Sequence, residues 1–272
     1  MEIKKSCINN FNFKSGLTKD LLLKESSINS NQVEKHFVKN YGIETNFLSN
    51  KSAILANQLC LDIFENLSKK LNINFLVPPA IFIYEKNQLI NSQLSANFCI
   101  SDTQEVLKNE YPFVGRSIFF RNFKNLEEIN ENSELQFSSK IASSSHFLAP
   151  FIHEWIHSFH LDYIFKNFGY GGDCEYLNEI YPTKQQKITG IQLLKYLESR
   201  VLSSKENEII ADVLGKYSTL PVNQYLEIFS ETLTKFICES LNGDKLIKNP
   251  IDQFRNASVE FRKIFQKISL FK

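Results

Sequence analysis

Between Lys51 and Leu71 the apolar residues Ile54, Leu55, Leu59, Ile63 and Leu67 recur at helical intervals, the spacing that lays a stripe along one helix face. The pattern then changes. Phe75–Val77, Ala80–Tyr84, Asn97–Ile100 and Arg116–Arg121 are short runs rich in β-branched and aromatic residues, and with turn formers around them they predict a small sheet. Residues 122–145, rich in Ser, Asn and Glu, read as a loop closing on Ser143, Ser144 and Ser145. A helix is predicted to follow, with a serine hydroxyl suited to its cap and Pro150 tolerable only near its first turn. Beyond Gly169 and the Gly171-Gly172 pair, helical patterns cover Ile191–Val201, Ser204–Tyr217, Val222–Leu241 and Ile251–Leu270. Residues 1–50 are the least patterned, and the polar stretch Ser26–Gln32 reads as a loop. Whether that segment is a propeptide, a lid or a plain part of the fold stays open.

This order of helix, strands, central helix and further helices predicts an α+β chain in two lobes. Its expected divisions are an N-terminal segment 1–50, an α/β lobe 51–168 carrying the central helix, and a helical lobe 169–272. The 43% hydrophobic content of 272 residues supplies a core that needs no covalent staples. The five cysteines, Cys7, Cys60, Cys99, Cys174 and Cys238, are scattered with no CxxC pair, so they read as reduced core thiols.

Charge narrows the function classes. The 31 basic and 30 acidic residues are mixed along the chain and leave a net charge of +1, with no patch to track a nucleic-acid backbone or an anionic membrane. No run approaches the ~18 apolar residues a spanning helix needs. The N-terminal lysines are not followed by the apolar run of a secretory signal. The expected location is cytoplasmic, or exported without a classical signal peptide.

Four of the five histidines, His146, His153, His157 and His160, fall within fifteen residues. At their centre His153-Glu154-Trp155-Ile156-His157 matches HExxH. Residues four apart on a helix lie one turn above each other, so both imidazoles can reach one tetrahedral metal while the intervening glutamate faces a water bound there. Ile152, Trp155, Ile156, Phe159 and Tyr163 form an apolar stripe opposite, which makes Trp155 a core residue. His160 shares the histidine face, but its Cα should lie about 10 Å along the axis from that of His153. That strains ligation by all three, so His160 is a substrate-binding or outer-sphere candidate set against a plain structural histidine.

Downstream, Asn207-Glu208-Ile209-Ile210-Ala211-Asp212 falls on a predicted helix. Glu208 and Asp212 share a face, and Ala211 and Gly215 nearby are small enough to let another helix approach. Glu208 is thus the expected third ligand of a His2Glu zinc site with one position left for water. Asp212 is the expected acceptor for the other ring N–H of a ligand histidine.

HEWIH followed by NEIIAD resembles the gluzincin metallopeptidases, whose pattern is HExxH followed on a later helix by NExxxD. The longer interval between the motifs is closer in layout to the lethal-factor-like peptidase domains of bacterial toxins. The resemblance implies a zincin-like fold, one zinc ion and hydrolysis of a peptide or protein substrate. In that reading zinc acidifies its water and polarises the scissile carbonyl, with Glu154 as general base. The run Gly115–Arg121 stands where zincins place an edge strand, to which a peptide could add. Tyr217, Tyr196 and His160 are the candidates for steadying the transition state. Three other readings stay open at this point: a non-catalytic zincin-like binding module, a purely helical interaction protein with no metal, and a zinc hydrolase of a non-peptide amide.

Overall fold

The computed structural model describes residues 16–73, 75, 77–78, 80–84, 96–99, 117–168, 193, 197, 202–220 and 224–268. Mixed α+β architecture is what it shows, with helix predominating over a small sheet. The helix predicted over Lys51–Leu71 spans those residues (α3). Asn50 caps its start by accepting from the Ala53 N–H, and Asn72 in the left-handed region ends it.

The segment before α3 is built into the fold. Two helices, α1 (Lys19–Ser27) and α2 (Ser30–His36), are capped by Thr18 and Asn29, and α2 runs on into a π-helical turn at Phe37–Tyr41. So Ser26–Gln32 is no extended loop; the break between the helices is only Ile28 and Asn29. A short strand β1 (Glu44–Asn46) then joins the sheet, while Leu21, Phe37, Ile43 and Phe47 are buried in the common core.

The sheet runs β1-β2-β4-β3, with β2 at Ala80–Tyr84, β3 at Ala96–Cys99 and β4 at Ser117–Arg121. β1, β2 and β4 are parallel, whereas β3 pairs antiparallel with β4. β4 is therefore an inner strand, and among the described residues the outer strand beside it is β3, a correction to the edge-strand reading of Gly115–Arg121. Phe75 and Val77 are not in a strand. Ile81, Ile83, Ile118 and Phe120 face the main core, and Phe82 and Phe119 on the alternate positions are also buried, which explains why β2 reads as a continuous apolar run.

A helix, α4 (Leu126–Ser138), occupies most of what reads as the loop 122–145; Asn125 caps it and Leu126 and Ile129 anchor it in the core. A strap of residues 139–148 leads to the central helix α5 (Ala149–Phe168), whose first turn holds Pro150. α5 is buried almost all round: Trp155 donates from Nε1 to Asn57 Oδ1 at 2.9 Å and stacks on Phe64, Phe151 stacks on Phe120 of β4, and the histidine face is as buried as the apolar one. Of the expected apolar stripe only Tyr163 is exposed.

The C-terminal part is helical. α6 (Ser204–Leu214) opens with a capping box from Ser203 and Glu206 and ends at Leu214, three residues before the sequence pattern suggests, with Gly215 after it; a 3-10 turn, Lys216–Thr219, follows. α7 (Gln224–Ser240) packs along α5, then a two-residue hairpin of β5 (Leu241–Asn242) and β6 (Lys245–Leu246) leads to α8 (Pro250–Asn256) and α9 (Val259–Ile268). The single helix expected over Ile251–Leu270 is broken at Ala257–Ser258. Of Ile191–Val201 only Leu193 and Leu197 are described, both helical and buried. One continuous core extends from Leu21 to Phe265, and Cys60 and Cys238 are free and buried within it.

Candidate metal centre

HEWIH lies in the middle of α5, where the i, i+4 spacing puts both imidazoles on the side facing α7. Their Nε2 atoms are 2.9 Å apart. The carboxylate that meets them comes from α7: Glu227 Oε2 is 3.1 Å from His153 Nε2 and 3.4 Å from His157 Nε2. Among the described residues this trio is the one group of three side chains converging as metal ligands could.

Glu208 and Asp212 lie elsewhere. Both are on the exposed side of α6, and the structure does not bring them to the histidines. Asn207 on the same helix is committed to Gln224, whose Nε2 donates to its Oδ1 at 2.7 Å. The physical reason is the face that α6 presents: Ile210 and Leu214 are the side chains it buries, so the carboxylates turn outward. The pair expected there recurs on α7 with the same spacing, as Glu227 and Glu231.

The outer nitrogens of the histidines are also engaged. His153 Nδ1 lies 3.2 Å from Glu231 Oε1, within ion-pair distance though off the line of a good hydrogen bond. His157 Nδ1 lies 2.9 Å from Ser230 Oγ. Glu231 is held in turn by the strap before α5: Ser143 N–H donates to its Oε2 at 3.0 Å and Ser143 Oγ donates to its backbone carbonyl at 3.1 Å. A proton on Nδ1 of His153, facing the carboxylate, leaves the Nε2 lone pair free to point at a metal.

Burial lowers the affinity of His153 for its proton, but the carboxylates of Glu227 and Glu231 close against its ring outweigh it and hold its pKa well above the usual histidine value. Glu227 is buried too, yet the neighbouring histidines hold its carboxyl far below the usual carboxylate range. Glu154 differs: burial pushes its pKa up, only partly opposed by the two histidines. A carboxyl placed so has a raised proton affinity, as a general base needs.

Tyr217, in the 3-10 turn after α6, lies edge-on to His153 with ring centroids 6.2 Å apart. Partial desolvation and the charges of Glu227, Glu154 and Glu231 push its phenol further up, so it is a proton donor throughout the neutral range. His160 stacks on Phe229 at 4.0 Å between centroids, and burial lowers its pKa to about 3. It is neutral and packed one turn beyond the site. His146 is also neutral, with burial bringing its pKa down to about 4; its Nδ1 accepts from the Leu148 N–H and its Nε2 reaches the Gly243 carbonyl at 3.2 Å. Tyr196 lies outside the described residues.

The trio fits zinc. Bonds of about 2.0–2.1 Å in tetrahedral geometry put neighbouring ligand atoms about 3.3 Å apart, and the three separations here are 2.9, 3.1 and 3.4 Å. Glu227 Oε2 is buried without a well-formed hydrogen bond among the described residues, although it is the atom nearest both rings. That is awkward as a hydrogen-bond network and natural as a ligand triangle. Compared with protein-family models, with curated proteins and with solved structures, the chain matches none.

Proposed function

We propose that this chain is a zinc-dependent hydrolase of the gluzincin kind, zincin-like in fold, acting on peptide bonds. The observation that carries the reading is the convergence of His153 Nε2, His157 Nε2 and Glu227 Oε2 within 3.4 Å of one another, with the buried carboxyl of Glu154 on the same helix. Glu227 takes the ligand role that the sequence suggests for Glu208, and Glu231 the supporting role suggested for Asp212. When bound, zinc supplies Lewis acidity that polarises a carbonyl and acidifies water.

The protein's own residues do the rest. Glu154, its proton affinity raised by burial, takes a proton from the attacking water and delivers it to the leaving nitrogen. Tyr217 O–H donates to the oxygen on which negative charge develops. Glu231 and Ser230 fix the two imidazoles through their Nδ1 atoms. β3, antiparallel and outermost in the sheet among the described residues, offers an edge to which an extended peptide could add as a strand. A purely structural metal site has no use for a buried Glu154, which favours the enzyme over the binding module.

Elemental analysis of protein purified without added metal tests this. One zinc per chain is expected in the wild type and in Glu154→Gln, and none in His153→Ala. Wild-type protein that holds no zinc and takes none up would sink the proposal.

A further inference from the structure

We infer that Gly215 is a positioning residue, the pivot of a backbone clamp that seats Tyr217 over the metal centre. This rests on the reading of the site proposed above and names a device within it that lies outside the ligands and the base.

The clamp joins two segments distant in sequence. Lys216 N–H donates to the Lys140 carbonyl at 2.8 Å and Tyr217 N–H to the Ile141 carbonyl at 3.2 Å. Two successive amides of the 3-10 turn are thereby tied to two successive carbonyls of the strap before α5. Tyr217 is only partly buried, and this backbone pairing fixes where its side chain starts. The same strap also supplies Ser143, which holds Glu231 beside His153. One strap therefore holds two groups that meet the same imidazole, Tyr217 and Glu231.

Gly215 is what lets the two segments close. Its φ of +92° with ψ of 167° falls in a region open essentially to glycine alone. A Cβ there would lie 2.5 Å from the Ile141 oxygen, 2.9 Å from its carbonyl carbon and 3.1 Å from the Ala142 oxygen. These are backbone atoms, so no side chain can rotate out of the way. Lys140 is itself at φ +56°, unfavourable for a lysine, and the paired carbonyl is the one it presents. Ser218 Oγ donates to the Gly215 carbonyl at 2.7 Å, which closes the turn on its other side. Any side chain at 215 must part the strap from the turn and move the Tyr217 backbone with it.

Two readouts test this, neither of them turnover. In the metal-free protein, amide hydrogen exchange at Lys216 and Tyr217 should accelerate in Gly215→Ala, while α5 and α7 keep their protection. In protein loaded with cobalt(II) as a spectroscopic stand-in, acetohydroxamate binding is followed by visible absorption. Its Kd should rise about tenfold in Gly215→Ala and in Tyr217→Phe, the loss expected for one hydrogen bond to a charged group. Cobalt stoichiometry should stay at one per chain in both. The double variant should be no worse than Tyr217→Phe alone, because both changes remove the same contact. Should Gly215→Ala fail to fold, Lys216→Pro is held to the same outcomes with exchange read at Tyr217 alone, since it deletes the Lys216 N–H and sets ring atoms against the Lys140 carbonyl. Exchange that accelerates while acetohydroxamate binds as tightly as to wild type would overturn the inference, as would losses that add in the double variant. Failure to take up any cobalt would instead overturn the metal reading itself, and this inference with it.

Discussion

Two pairs of carboxylates stand four residues apart on successive helices, Glu208 with Asp212 on α6 and Glu227 with Glu231 on α7, and only the second pair meets the histidines. The spacing is the same, so spacing did not decide it. On α6 the residues before Glu208 are polar, Ser204, Lys205, Glu206 and Asn207, and the buried face holds Ile210 and Leu214; a carboxylate turned to water there costs nothing. On α7 the neighbours are Tyr225, Leu226, Ile228 and Phe229, all buried. A carboxylate carried into such surroundings must find a partner or lose its charge. Glu227 finds both histidines, and Glu231 finds His153 and the Ser143 amide. A charged residue among apolar ones on a buried helix says more about a site than a motif on a solvated helix does.

Neutralising each candidate ligand in turn should separate the two pairs by the widest margin. Glu227→Gln keeps the shape and removes the anion facing His153 and His157, so zinc affinity should fall by more than the roughly 10–100-fold typical of losing an outer partner. Glu208→Gln should leave it within about twofold, since a surface change away from the site is close to neutral. Competition against a chelator of known affinity measures both. Zinc lost in Glu208→Gln and kept in Glu227→Gln would reverse the assignment of the pair.

The second members are expected to differ by less. Glu231→Gln leaves an acceptor toward the Ser143 amide but weakens the carboxylate contact with His153 Nδ1, and should cost about 10–100-fold in zinc affinity. Asp212→Asn, exposed on α6, should cost nothing measurable in the same competition. Equal losses in the two variants would mean that α6 reaches the centre.

The comparison also marks how far the sequence could be read. The ends of α3 were legible because an asparagine stands at each and the apolar stripe between is regular. HExxH announces α5, and the apolar stripe opposite it is buried except for Tyr163; what the pattern does not show is that the histidine side is buried too, under α7. α4 was missed even though Asn125 caps it and Glu127 and Glu128 stand in its first turn; a helix resting on few buried side chains carries little periodicity. The strand at Glu44–Asn46 was missed for a related reason, since three residues offer no alternation to count. Glu227 itself is within reach of the sequence: an acidic residue flanked by Tyr225, Leu226, Ile228 and Phe229 is the signal that marks it.

The smallest expected effect concerns the proton on His153. In the metal-free protein Glu227 and Glu231 hold its pKa well above the usual value against the pull of burial, so at neutral pH a zinc ion must displace a proton from it. Below that raised pKa, zinc affinity should climb about tenfold for each unit of rising pH, then level off once His153 is neutral. The sign follows from which species binds: protons compete with the metal, and raising pH removes the competitor. Glu231→Gln takes away one of the charges that favour the protonated ring, so the bend in the plot of log affinity against pH should move to lower pH. Part of the affinity lost with Glu231 is then regained, because less proton has to be driven off. Asp212→Asn should leave the bend where it is. A bend that shifts equally in both variants would show His153 responding to general charge, and the buried pair would lose its claim to be different in kind from the exposed one.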